Sequence, residues 1–225
     1  ATTATIALAG GVKDVSGNAN HAKASGGTTV ISDSEMGSVF GFDGINDSIV
    51  IGFTTADIAE FSVSVFYKRS VDAVDALLDA NYTSSNLTGF RLGSGGIPAQ
   101  FAFMAGDKST GYINYKNNEW THVVGTFSGG QYLRLYENGI LISENIVDIP
   151  LTVRMQQTTI GRNPSSAKYF TGQMVLPKIY NRALTAEEVK TLYLFGKESE
   201  SGTITADRVQ TGSIQSLNWG TSAGS

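Results

Sequence analysis

The 225-residue chain contains no cysteine. Disulfide scaffolds, thiol nucleophiles, zinc ribbons and iron–sulfur clusters are therefore excluded, and the redox compartment leaves no mark on the sequence. A chain of this length buries roughly 70–75% of its unfolded surface, so its core requires neither staple nor metal. Charge is also scarce: Asp, Glu, Lys and Arg make up 16% of the residues, against about 25% in an ordinary domain. Sixteen Lys and Arg against twenty Asp and Glu leave a net charge of −4 without a basic run, which argues against nucleic acid as a partner. No apolar stretch approaches the ~20 residues of a membrane span, so membrane insertion is not expected. The opening Ala1–Leu8 lacks an initiator Met and a basic segment. It reads as a processed end or a piece of a longer chain rather than an intact signal peptide. There is no Gly-x-Ser-x-Gly elbow, no P-loop and no dinucleotide fingerprint.

What fills the chain instead is Gly, Ser, Thr and Asn between short alternating segments. Phe61, Val63, Val65 and Tyr67 share one face of a strand; Ser62, Ser64 and Lys68 share the other, and only Phe66 breaks the pattern. The run 99–104 is apolar on both faces, as a buried strand would be. Tyr132–Tyr136 alternates and meets Asn138-Gly139, a strong hairpin signal, before Ile140–Ile142 returns. Further strands are expected at 38–42, 48–51, 76–79, 89–92, 121–127, 158–161 and 173–180. Turn signals about every ten residues predict an all-β, two-sheet antiparallel sandwich. Thr185-Ala186-Glu187-Glu188 is a capping box, with Leu184 and Val189 placed as its hydrophobic staple, and it opens one short C-terminal helix. Composition turns polar after Gly196. Beyond it Ile204, Val209, Ile214, Leu217 and Trp219 are isolated apolar residues within a tail that cannot form its own core; the tail either buries them against other chains or is disordered.

Few residues carry recognisable chemistry. Of two histidines, His21 lies in a loop and His122 in a strand, where a structural hydrogen bond is the simpler role. Asp33-Ser34-Glu35 is the one Asp-x-Glu or Glu-x-Asp, a spacing that alternation would place on a common face, as glycoside hydrolysis needs, but its context reads as a solvated turn. Two oxygen-rich clusters suit a hard cation: Asp14, Ser16, Asn18 and Asn20, and the run Asp43–Asp47. Turn chemistry alone also explains such residues. Sugar recognition pairs aromatic faces with amides, and two loops have that make-up. Tyr82 and Asn86 lie in one, Tyr112, Asn114 and Tyr115 in the other; either is equally ordinary loop surface. Acceptor patterns for N-glycosylation at Asn46, Asn81 and Asn86 matter only in a eukaryotic secretory setting.

Taken in order, several motifs resemble the laminin G-like, concanavalin A-like jelly-roll superfamily. They are the opening 14–21 (Asp-Val-Ser-Gly-Asn-Ala-Asn-His), the Phe42–Asp47 turn, the strand 61–68 and Trp120-Thr121-His122-Val123. The Leu133–Gly139 hairpin and the segment from Ile179 to Glu188 complete the set. The resemblance covers about residues 5–195 and implies a jelly-roll domain over 1–196, followed by a linker and stem-like tail over 197–225. It also implies a structural calcium near the opening loop, with Asp14 and Asn18 as oxygen donors and Asp43 more distant. Where the family has two acidic residues before this last segment, however, the chain has Val175 and Leu176, which weakens that site. The segments 202–209 and 211–220 resemble repeats near the stems of bacteriophage tail fibres and tail tips. Together the two resemblances imply a non-catalytic carbohydrate- or receptor-binding domain, displayed extracellularly on a virion tail. Its expected partners are a host-surface glycan or receptor and other tail-protein segments, with the full-length protein, or the longer chain it comes from, a homotrimer through this tail. A purely structural virion decoration and a polysaccharide hydrolase on the same fold are the alternatives.

Overall fold

Alternation at 61–68 assigns two faces to one strand before any tertiary contact forms, and the molecule uses both. A computed structural model describes residues 6–7, 11–73, 75–80, 89–94, 96, 99–147, 150–164 and 168–198. Its strand Glu60–Arg69 lies inside an eight-stranded antiparallel sheet. From edge to edge this sheet runs Ile6–Ala7, Thr29–Asp33, Gly37–Asp43, Thr171–Tyr180, Glu60–Arg69, Thr121–Ser128, Tyr132–Glu137 and Ile140–Ile146. The second sheet, of nine strands, runs Lys108–Ser109, Gln100–Ala105, Phe90–Gly93, Ala76–Asp79, Gln156–Ile160, Ser48–Thr54, Ala22–Ser25 and Gly11–Val12. Its ninth strand, Ile113–Asn114, pairs beside Gln100–Ala105. A small hairpin of Arg162–Asn163 with Lys168–Tyr169 and the helix Ala186–Glu198 complete the described elements. This is the expected all-β, two-sheet jelly-roll sandwich with one short helix. Among the described residues, no helix is long and apolar enough to cross a membrane.

The inward faces make one core. Phe61 and Phe127 from the first sheet meet Phe90 and Phe103 from the second, with Phe61 5.1 to 5.7 Å from each of the other three ring centroids. Such pairs add about 0.5–1.5 kcal/mol beyond their burial. Gly125 makes this possible, since a Cβ there would stand 2.5 Å from the Phe103 ring.

The outward face of the first sheet is where expectation and structure part. Ser62 and Ser64 are buried rather than solvated, because the C-terminal segment packs over them. Ser62 Oγ donates to the Arg182 carbonyl and accepts from the Leu184 N–H, both at 2.9 Å. Phe66, the residue out of pattern, stacks at 4.3 Å on His122 and faces Tyr193 of the helix. The capping box forms as expected: Glu188 accepts from the Thr185 N–H, and Thr185 Oγ1 accepts from the Glu188 N–H. Leu184 and Val189 cluster with Val124 and Tyr136.

Strands at Ala22–Ser25 and Thr29–Asp33 were not anticipated, since their outer positions are polar. Asp33 also departs from the solvated turn expected of it. Its side chain is buried and accepts from the N–H groups of Glu35 and Met36, from Trp120 Nε1 and from Lys68 Nζ. Burial alone would raise its carboxyl, but these donors outweigh burial and hold it below the usual range.

Candidate functional site

Because Met174 and Tyr67 point into the core, their neighbours Gln173 and Lys68 point outward. In register, Thr29 pairs with Gly41, Gly41 with Gln173 and Gln173 with Lys68. The next row pairs Asp43 with Thr171. A shallow cleft of about 350 Å³ lies on this outward face; Thr29 and Ile31 pack close over Gly41, where a Cβ would stand 2.9 Å from Thr29 Oγ1. Thr29, Gly41, Asp43, Thr171 and Gln173 line it, together with Gly27, Ile31, Asp47 and Ser70. Glycine within a strand commonly marks such an approach.

The chemistry of the cleft is one-sided. Asp47 is only 3% exposed; its Oδ2 accepts the Asp43 N–H at 2.9 Å, while its Oδ1 accepts nothing from the described residues. Burial raises its carboxyl, and the carboxylate of Asp43 beside it adds to the rise. Gln173 Oε1 is likewise buried without a donor among the described residues. Among the described residues no Lys, Arg or His lines the cleft, although Lys68 pairs directly beside Gln173. Both oxygens are closed off from solvent, and a buried acceptor left unpaired costs about 1–3 kcal/mol.

The residues singled out from sequence fall in several places. Of the expected cation donors Asp43 and Asp47 reach the cleft, where Asp43 Oδ1 accepts from the Ile45 N–H. Asp14 instead organises its own loop. Its carboxylate accepts from the Ser16 N–H and Oγ and from the Asn20 N–H, and these bonds hold its pKa below the usual range. Asn18 Nδ2 donates to Ser16 Oγ, and His21 Nδ1 accepts the Asp14 N–H. The motif at 14–21 thus satisfies itself. Among the described residues no three His, Asp or Glu side chains converge to hold a metal ion, and Val175, where the resemblance expects an acid, sits in an apolar cluster with Val39, Phe66 and Trp120. The donor set therefore does not fit a carboxylate-bound calcium there.

Tyr82 and Asn86 lie outside the described residues. Tyr112 and Asn114 are exposed beside the second sheet, with Asn114 Oδ1 accepting from Gln100 Nε2. Tyr115 is a correction: it is buried, not a surface contact. Its ring lies between Phe101 (4.7 Å between centroids) and the Arg69 guanidinium (3.8 Å), and its hydroxyl donates to Asp75 Oδ1. Arg69 and Asp75, both fully buried, pair at 3.0 Å. A charge removed from water needs such a partner, and Tyr115 serves that pair rather than a ligand. His122 is structural in the same sense, with Nε2 at 2.9 Å from Ser64 Oγ. Gln173 was missed by sequence reasoning; the lone signal was Gly41 inside an expected strand.

Residues 43–190 match the family model described as the concanavalin A-like lectin/glucanases superfamily. No curated protein matches the sequence. Solved structures that match include the receptor binding domain of botulinum neurotoxin C/D mosaic serotype, at 16% identity and a TM-score of 0.63 over 81% of this chain. They also include the binding domain of botulinum neurotoxin DC in complex with rat synaptotagmin II, at 15% identity and a TM-score of 0.63 over 84% of this chain. The same neurotoxin's binding domain in complex with SialylT matches at 13% identity and a TM-score of 0.62 over 83% of this chain. The chain spans about half the length of these domains, the matched share of each being 48%, 51% and 51%.

Proposed function

Because the chain belongs to the concanavalin A-like lectin/glucanases superfamily, we propose that it is a non-catalytic domain that binds a cell-surface glycan or receptor. The observation that carries this reading is the cleft on the first sheet, where the hydroxyl, carboxylate and amide side chains of Thr29, Asp43, Thr171 and Gln173 line an open polar surface. The likeness in fold to binding domains crystallised with a protein, synaptotagmin II, and with SialylT supports it. The segments 202–209 and 211–220 support a bacteriophage tail as the setting, with the domain displayed outside the cell and attached to other tail-protein segments. In that setting the full-length protein, or the longer chain it comes from, is a homotrimer through this tail, which lies outside the described residues, and three weak sites on one stem gain avidity.

The reading is tested by mixing the labelled full chain with intact bacterial cells and with their purified envelope polysaccharide. Saturable adsorption, with no new reducing ends released, is the expected outcome. Absence of adsorption would favour a purely structural decoration. Release of reducing ends that stops when Asp33 or Glu35 is replaced would instead make the domain a hydrolase.

A further inference from the structure

Among the described residues the two sheets end in four edges, and three of them are blunted. Ile6–Ala7, Lys108–Ser109 and Gly11–Val12 are each two residues long. The fourth, Ile140–Ile146, presents seven residues. The Val147 N–H donates to the Gln131 carbonyl. By the alternation of an antiparallel ladder, Asn145 and Ser143 also turn their N–H and C=O groups toward Tyr132–Glu137, while Glu144 and Ile146 turn theirs to the open side. A long free edge is a hazard that proteins ordinarily guard with Lys, Pro or a covering segment. This one has neither Lys nor Pro, and its single charge, Glu144, is engaged by Arg134. Ile140, Leu141, Ile142 and Ile146 are exposed on it, four of the nine large apolar side chains exposed among the described residues. We infer that this edge receives an extended, uncharged segment of another protein, which joins the first sheet as a further strand. Three strands separate the edge from the cleft, and this contact stands whether or not a glycan binds.

The edge itself selects its occupant. N–H and C=O groups that recur at alternate residues are matched by another extended backbone, whose main chain supplies affinity while alternate side chains supply specificity. The exposed isoleucines favour apolar side chains on the partner, and the charge of Glu144 is already met by Arg134. The edge is also held in place: Ser143 Oγ accepts the Gly111 N–H and Asn145 Nδ2 donates to the Ser109 carbonyl, each at 2.8 Å. A second copy of the chain fits less well. Two rigid sandwiches meeting along seven residues would share on the order of 250 Å² per copy, from an edge about 24 Å long and about 10 Å deep. A stable interface takes about 800 Å² per partner. A flexible segment is not so limited, since its alternate side chains can fold over both rims of the edge. One rim carries Leu141 and Ile146, paired with Tyr136 and Tyr132; the other carries the exposed Tyr112 beside Gly111.

The test uses the full chain and a capped, fluorescein-labelled peptide of about eight residues that alternates Val and Thr, a length that spans the edge. Its fluorescence anisotropy should rise saturably with protein. Hydrogen exchange at the Glu144 and Ile146 amides should slow at least about tenfold when the peptide is bound. The same peptide N-methylated at every residue has no backbone N–H to give and should not bind. Ile146→Lys places a guarding charge on the edge and should weaken binding about tenfold. Ile45→Lys, at an exposed position in another loop, should bind like the parent. Equal binding of the methylated peptide, unchanged exchange at the two amides, or full binding by Ile146→Lys would overturn the proposal. Slow exchange at both amides in the chain alone, growing with protein concentration, would overturn it too and assign the edge to a second copy. If Ile146→Lys misfolds, the comparison of the two peptides on the parent chain decides.

Discussion

His122 shows how far a side chain can be drawn from its aqueous behaviour. Burial, with the charge of Lys178 assisting, pushes its pKa from the ordinary 6.5 down to about 3, and the ring stacks on Phe66 with Tyr193 beside both. The native state therefore refuses a proton that the unfolded chain accepts below pH 6.5. Its contribution is whole above pH 6.5 and is lost as pH falls toward 3, by up to about 1.4 kcal/mol per pH unit. Asp75 works the other way, since burial raises its pKa to about 6 from the ordinary 3.8. It favours the native state as pH falls through that interval. Comparing the parent with His122→Gln isolates the histidine. Urea denaturation should show the parent losing about 2 kcal/mol more than the variant between pH 7 and pH 4.5; equal losses would mean that His122 is solvated. At this scale the sequence was legible where a residue answers to its neighbours in the chain. Asp14 is tied by Ser16 and Asn20 within its own loop. Tyr115 was misread because its partners Arg69 and Asp75 come from another strand and loop, and composition carries no trace of a buried ion pair. Gln173 was missed for the same reason, being defined by what faces it across three strands.

Elements were easier to foresee than their surroundings. The strand from Phe61 was set by alternation, and the Asn138-Gly139 turn by positive φ angles of 50° and 80°, which suit a tight hairpin. The helix start was set by its box: Arg182 grips Glu188 through two 2.7 Å bonds. That grip and the Thr185 N–H hold the Glu188 carboxyl down to about 2. This support is present above the ordinary 4.5 and fades as pH falls toward 2. Thr185→Ala should cost about 1 kcal/mol at neutral pH, measured as a shifted urea midpoint with an unchanged slope; no shift would mean that the cap is redundant. What alternation could not reveal was that the polar face of the central strand is covered. A serine is compatible with water or with a carbonyl above it, and only the packed C-terminal segment decides for Ser62.

At the scale of the molecule, the sandwich and its family follow from ordered motifs, whereas assembly rests on residues 199–225, which lie outside the described residues. The helix runs to Glu198, so a chain ending there retains every described element. Light scattering should find the full chain a trimer and the chain ending at Glu198 a monomer. A shortened chain that still trimerises would move the interface onto the sandwich. The central claim is that this sandwich binds a glycan or receptor, and a glycan array probed with the labelled full chain tests it most directly. Retention on a defined set of glycans is the expected result; silence across the array, together with no adsorption to intact cells, would contradict it.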